Sequence, residues 1–155
     1  MDSKELINKV IRLAAENVAA GGGPFAALVV KDGVTLSTGT NRVTATNDPT
    51  AHAEIVAIRN ACLALGHFEL PGCDLYCSCE PCPMCLGAIY WARPERVYFA
   101  ATAGDATKAG FDDSKIKEQI VLPYAMQTMR IERITECDSS LPFRAWLRKP
   151  DKVPY

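Results

Sequence analysis

The sequence predicts an α/β fold in which a mixed five-stranded sheet is covered by helices on both faces. An early hairpin signal predicts an antiparallel pair, and from the middle of the chain onward strand and helix patterns alternate, which predicts parallel pairing. The chain has 155 residues, 48% of them hydrophobic, which suits one core. We therefore expect a single domain over 1–155.

The first third of the chain predicts a helix followed by a hairpin. Apolar residues recur at helical spacing over 3–20 and end at the glycine run 21–23. Two extended apolar patterns, 25–30 and 34–41, then flank a Lys-Asp-Gly turn at 31–33. This arrangement predicts two antiparallel strands joined by a tight turn.

The middle of the chain predicts a helix, a strand and a second helix. A helical pattern runs over 52–65 and ends at Gly66. Residues 73–79 read as a buried strand, and 81–91 as a helix with an early proline that ends before Arg93-Pro94. The helices over 52–65 and 81–91 therefore each follow a strand.

The last third predicts two more strands and two helices. We expect strands over 95–101 and 127–134, a short helix over 105–108, and a final helix over about 139–148. The segment 127–134 would be the fifth strand of the sheet.

Charge and cysteine content exclude several classes of protein. With 17 basic and 18 acidic residues the net charge is -1, so nothing in the total indicates a nucleic-acid or membrane partner. Seven cysteines are an odd number, the chain has no signal-like start, and no apolar run approaches the length of a membrane span. We expect a cytoplasmic protein with reduced thiols and a small neutral ligand.

Two short segments contain the residues suited to metal binding and catalysis: His52-Ala53-Glu54 and Pro81-Cys82-Pro83-Met84-Cys85. His52, Cys82 and Cys85 supply three ligands, the number expected of a catalytic zinc whose fourth position stays open. All three lie in the first turns of predicted helices, where free N–H groups and the helix dipole favour thiolates. Glu54 is a carboxylate that the metal does not need as a ligand, and it can therefore move protons.

Each half of this pattern also has a simpler explanation. His-x-Glu alone is weak, and Cys-x-x-Cys alone fits a redox pair or half of a structural zinc site. Cys79 extends the run to a second Cys-x-x-Cys, as at the start of a ferredoxin cluster, but the fourth, proline-followed cysteine is missing. The combination favours catalytic zinc. Two thiolates and a neutral imidazole cancel the charge of Zn²⁺, so a nearby base such as Glu54 becomes more necessary.

The zinc motif resembles the H-x-E…P-C-x-x-C signature of the zinc-dependent nucleobase and nucleoside deaminases. The resemblance is closer still to the small bacterial guanine deaminases and covers nearly the whole chain. Four segments carry it: 22–25, 47–54, 78–92 and 109–113. It implies a three-layer α/β/α, cytidine deaminase-like fold. It also implies hydrolysis of guanine to xanthine and ammonia, with one zinc per subunit, zinc-bound water attacking C2, and Glu54 as the proton shuttle.

The same resemblance implies a homodimer in which a C-terminal segment, about 138–155, is exchanged between subunits. Its last residue, Tyr155, would cap the partner's site. A free terminus is usually frayed, so this role of Tyr155 rests on the resemblance alone.

Four candidate substrate-binding residues come from the first two thirds of the chain. Phe25 and Trp91 offer flat rings to a purine, although either ring is also compatible with a place in the core. Asn41 offers amide donors and an acceptor to a base edge, and its simpler role is that of a turn-side asparagine. Ala53 offers its backbone N–H beside the metal.

A carboxylate in the pocket would favour guanine, because guanine presents N–H donors where adenine and cytosine present acceptor nitrogens. The run Asp112-Asp113-Ser114 is also typical of a helix N-cap. Matching the family position by position favours Asp113 for the substrate and leaves Asp112 a structural role.

Other functions share parts of this pattern. A tRNA adenosine deaminase has the same zinc ligands and the same glutamate. This alternative is also compatible with a locally basic tail, which contains Arg144, Arg148, Lys149 and Lys152. Guanosine and ammeline are closer alternatives as substrates. A zinc-stabilised binding module with a closed site is the non-enzymatic alternative, and Glu54 argues against it.

Overall fold

A computed structural model describes residues 2–155. Its first strands and helices are α1 (Ser3–Ala19), β1 (Ala26–Lys31), β2 (Val34–Thr40), α2 (Val43–Thr46), α3 (Ala53–Leu65) and β3 (Cys73–Cys79). These are followed by α4 (Pro83–Ala92), β4 (Arg96–Ala101), α5 (Ala103–Lys108), α6 (Ser114–Ile120), a 3-10 turn (Tyr124–Met126) and α7 (Leu141–Arg148).

The sheet is mixed and has four strands in the order β2-β1-β3-β4. β1 pairs antiparallel with both β2 and β3, whereas β3 and β4 are parallel. The predicted hairpin and the predicted switch to parallel pairing are confirmed. The prediction of a fifth strand over 127–134 is wrong, because this segment is irregular and pairs with no strand in the described residues. A strand-like sequence becomes a strand only where it pairs with a neighbouring strand, and 127–134 has no such neighbour in the described residues.

Alternation along β1 and β3 separates two apolar clusters on opposite faces of the sheet. One face packs against α1 through a cluster that includes Leu6, Val10, Leu28 and Tyr76. The other face packs against α3 and α4 through a cluster that includes Val29, Ala57, Leu75, Cys77 and Ile89. Helices therefore cover both faces, as the sequence predicts.

The helices α3 and α4 begin slightly later than the sequence patterns indicate. His52 and Cys82 have extended backbone angles, with ψ of 157° and 168°, and are the N-cap residues of the two helices. Glu54 and Cys85 then lie in the first turns. Both ends of the site are thus built from the residues at which a strand-side loop becomes a helix.

Gly39 allows α3 to lie against β2. A Cβ atom added at Gly39 would stand 2.1 Å from the backbone oxygen of Ala53 and 2.4 Å from the backbone nitrogen of Ala57. The Ser37 hydroxyl donates to the Ala57 oxygen at 2.7 Å in the same buried interface. Only glycine at position 39 therefore permits this approach of the helix that carries Glu54.

The contacts divide the chain into two compact units. The first unit ends at Asp113 and the second covers Ser114–Tyr155. The single-domain assignment and the exchange of about 138–155 remain predictions. None of the helices within residues 2–155 combines the length and apolar character that crossing a membrane requires.

Candidate metal centre and active site

Three potential metal ligands converge where α3 and α4 begin. The Nδ1 atom of His52 lies 3.5 Å from the Sγ atoms of both Cys82 and Cys85, and the ligand atoms all lie within 4.8 Å of one another. A zinc ion at its usual bond lengths holds a nitrogen and a sulfur about 3.6 Å apart in tetrahedral geometry. The three residues, here called the metal triad, therefore fit zinc as they stand.

The electrostatics of the metal triad favour a thiolate. The pKa of Cys82 is lowered to about 4, mainly because the Cys85 thiol donates a hydrogen bond to it, with a further contribution from His52. The pKa of Cys85 is raised by the same contact with Cys82 and by burial. Thiolates are the form that binds metals, so a divalent cation would displace the proton that the pair shares.

Glu54 lies beside the metal triad without being one of its three members. Its side chain is buried, and its Oε2 lies 3.4 Å from the Sγ of Cys85. Burial raises the pKa of Glu54, because a charged carboxylate loses its hydration there. A carboxyl group held in this way is suited to take up and release a proton next to a metal.

Glu80 and Cys79 connect the segment that leads into Cys82 to the start of α5. The Glu80 carboxylate accepts a hydrogen bond from the Ala103 backbone at 2.9 Å, and its own N–H donates to Ala101 at 2.8 Å. The Cys79 thiol donates to the Thr102 oxygen at 3.5 Å. The segment leading into Cys82 is thus tied to the end of β4 and the start of α5, a role of Glu80 that the sequence pattern alone does not reveal.

Phe25 and Asn41 are brought together on the same side of the sheet as α3. The Asn41 N–H donates to the Phe25 oxygen at 3.0 Å, and the Asn41 Oδ1 accepts from the Val43 N–H at 3.3 Å. The Phe25 ring packs on the α3 side of the sheet and meets Phe111 edge to face, with ring centroids 4.9 Å apart. Phe111 is a further residue that the sequence did not single out.

The other predicted substrate residues are distributed differently. Ala53 is the first residue of α3, where a backbone N–H has no helical partner. Trp91 lies at the far end of α4, about 9 Å along the helix axis from Cys85, and is 62% exposed. Asp113 ends the first unit two residues after Phe111, and Tyr155 lies in the second unit. The role of Trp91 in substrate binding stays a prediction.

The missed residues Gly39, Glu80 and Phe111 have something in common. Each acts through a neighbour that is distant in sequence, or through a backbone contact, rather than through a local motif. Only Glu80 and Phe111 carry a usable signal, since both lie inside segments on which the family resemblance rests.

Comparison with known proteins agrees with this geometry. Residues 1–101 match the family described as the cytidine and deoxycytidylate deaminase zinc-binding region. The guanine deaminase of Bacillus subtilis is 50% identical over 156 residues, covering 100% of both chains. The structure of guanine deaminase from Bacillus subtilis superposes with a TM-score of 0.98 over 100% of this chain and 99% of that one, at 50% identity.

Two further relatives are similar over part of the chain. A solved structure in complex with 8-azaguanine shares 39% identity and a TM-score of 0.67, covering 70% of this chain and 63% of that one. A tRNA-specific adenosine deaminase of Agrobacterium fabrum is 48% identical over 89 residues, 56% of this chain and 59% of its own. The chain belongs to the cytidine and deoxycytidylate deaminase family of zinc-binding proteins.

Proposed function

We propose that this protein is a guanine deaminase that hydrolyses guanine to xanthine and ammonia. The observation that carries the proposal is the buried Glu54 carboxylate, whose Oε2 lies 3.4 Å from the Sγ of Cys85. Because the metal triad supplies three ligands without Glu54, this carboxylate is left to move protons. A similarity to a guanine deaminase that spans the whole chain supports guanine as the substrate.

The metal triad would hold one zinc ion per subunit. When bound, zinc supplies a Lewis acid that acidifies water for attack at C2 of the purine. Glu54 would accept the first proton that water loses and deliver it to a ring nitrogen. It would then carry the second proton, from the hydroxyl now on C2, to the amino group, which leaves as ammonia. The glutamate is held for this task because burial in the first turn of α3 leaves it few other orientations.

The purine would lie against Phe25, with its polar edge towards Asn41 and Asp113. Since the Asn41 Oδ1 already accepts from Val43, its Nδ2 is the group that faces an acceptor on the base. The Ala53 N–H is a second donor beside the metal triad, and the Asp113 carboxylate would accept from the N–H groups that distinguish guanine. Trp91 and Tyr155 of the partner subunit would complete the proposed pocket.

A homodimer with an exchanged C-terminal segment accounts for two exposed surfaces. β4 is an edge strand in the described chain, and Val97 and Phe99 on it are exposed. The segment 127–134 has a strand-like sequence and no partner strand in the described residues. In the proposed dimer the partner's segment covers this edge and brings Tyr155 of the partner subunit to the pocket. None of the seven cysteines forms a disulfide in the described residues, which is compatible with the proposed cytoplasmic location.

A tRNA adenosine deaminase is the second candidate, and the charges of the second unit argue against it. Two of the four cations in the basic tail form ion pairs, Arg144 with Asp138 and Lys149 with Asp151. The net charge of the chain is -1. A polyanion-binding protein needs a broader basic surface than this.

Ammonia release tests the proposal, measured for guanine, guanosine, ammeline, cytosine, adenosine and tRNA. We expect guanine to be preferred, and preference for any of the others would overturn the choice of substrate. Glu54→Ala should retain zinc and fold while lowering turnover about a hundredfold to ten-thousandfold. Glu16→Ala, exposed on α1, is the matched control and should turn over normally. Full turnover by Glu54→Ala would exclude the proton shuttle.

A further inference from the structure

Asn17, in the last turn of α1, donates two hydrogen bonds from one amide nitrogen. Its Nδ2 lies 2.8 Å from the backbone oxygen of Gly23 and 3.0 Å from the backbone oxygen of Asn41. An amide nitrogen has two hydrogens, and both are used here. A single side chain therefore joins the loop that precedes β1 to the residue that follows β2.

The glycine run after α1 makes room for this junction. A Cβ atom at Gly22 would stand 2.4 Å from the Nδ2 of Asn17, and one at Gly23 would stand 3.0 Å from the Cγ of Asn41. Gly21 differs, since its φ of 87° is the left-handed conformation that ends a helix. Gly22 and Gly23 are thus required by close approach rather than by backbone conformation.

The two carbonyl groups that Asn17 binds belong to the backbone of the proposed purine pocket. Gly23 also accepts from the Phe25 N–H at 2.8 Å, and Asn41 donates to the Phe25 oxygen at 3.0 Å. The next residue, Arg42, donates to Ala51 at 2.9 Å, immediately before the ligand His52. A shift of Asn17 would therefore move Phe25 and Asn41 relative to the metal triad.

We infer that Asn17 is a positioning residue for substrate binding, which sets the distance between the purine-binding residues and the metal. The inference rests on the proposed function, because Phe25 and Asn41 matter only if they bind the base. Asn17 itself acts through the backbone of the pocket and leaves the metal triad and Glu54 in place. Its loss is therefore expected in substrate affinity rather than in zinc content or in the chemical step.

Asn17→Asp tests the inference, because aspartate keeps the shape of the side chain but removes both donors and faces two carbonyl oxygens with a negative charge. We expect KM for guanine and Kd for 8-azaguanine to rise about tenfold or more, as loss of two hydrogen bonds predicts. Zinc content should be unchanged, and kcat should fall by less than about threefold.

Asn60→Asp is the matched control. The Asn60 amide donates to the Thr38 oxygen at 3.1 Å on β2, so the same chemical change is made at a side chain that bonds to no residue of the proposed pocket. We expect KM to stay at the wild-type value. Gly23→Ala tests the same inference by a different change. It keeps both Asn17 donors, but its added methyl group crowds the Asn41 side chain, so KM for guanine should rise here as well.

The outcomes separate this inference from the proposed function. A wild-type protein that does not act on guanine would overturn the proposed function and this inference with it. An active wild type, together with unchanged KM and Kd in either Asn17→Asp or Gly23→Ala, would overturn the inference alone. An equal rise in the Asn60→Asp control would show a general loss of structure and would also overturn it.

Discussion

The first unit buries its apolar side chains, whereas the second unit exposes them. All the buried apolar residues lie before Asp113, and none lies within Ser114–Tyr155. The second unit exposes large apolar side chains along its length, among them Val121, Met129, Ile134, Phe143 and Leu147. About forty residues without a core are rarely stable alone. The metal triad thus lies in the unit that has a buried apolar core, and the second unit has no such core of its own.

Removal of zinc should have the largest effect on the first unit. The metal triad joins the start of α3 to the start of α4, and a metal present at about a thousand times its Kd stabilises a fold by about 4 kcal/mol. We expect chelation to abolish ammonia release and to lower the free energy of unfolding by about this amount, measured by urea titration. Trp91 fluorescence in a Trp146→Phe variant reports this unit.

Cys82→Ser should behave like the chelated protein, whereas Cys137→Ser, exposed in the second unit, should keep its zinc and its stability. A urea transition that chelation does not move would contradict a metal that joins the two helices.

Dilution should have the next largest effect, and it addresses the second unit. If a partner subunit supplies the surface that this unit lacks, about a hundredfold dilution lowers its stability by about 2.7 kcal/mol. Trp146, the indole of the second unit, reports this transition in a Trp91→Phe variant. A transition independent of protein concentration would remove the proposed dimer and leave the exposed residues of this unit unexplained.

Gly39→Ala should have a smaller effect, confined to the first unit. The added methyl group would overlap the backbone of Ala53 and Ala57, and such overpacking costs about 1–3 kcal/mol. Because α3 would have to move, we expect turnover to fall together with stability. Gly87→Ala is the matched control, since a Cβ there meets nothing within 4 Å, and it should leave the unfolding midpoint unchanged or raised.

The features that the sequence predicts well are set by local signals. α1, the hairpin and β3 follow from side-chain periodicity and from the turn and stop residues beside it. The proximity of the metal triad was foreseeable because its members come from two short motifs, each at the start of a helix. Local sequence patterns are therefore sufficient to predict where the metal triad lies.

The features that the sequence misses depend on distant partners. Residues 127–134 carry a strand pattern, but a pattern cannot say whether a sheet edge is available to receive it. Asn17 meets Asn41 across 24 residues, and the requirement at Gly39 is defined by the helix that lies on it. No property of these residues taken singly indicates either contact.

The placement of His52 and Cys82 at helix starts has a consequence for how the site tolerates changes in length. Between them the chain leaves the metal along α3, turns over Gly66–Gly72 and returns along β3, so the turn lies at the opposite end from the ligands. The separation of 30 residues between His52 and Cys82 is therefore set by the lengths of α3, the turn and β3, and not by the chemistry of the metal site. Residues inserted into or removed from the exposed part of that turn would change the spacing of the motif while leaving its geometry intact.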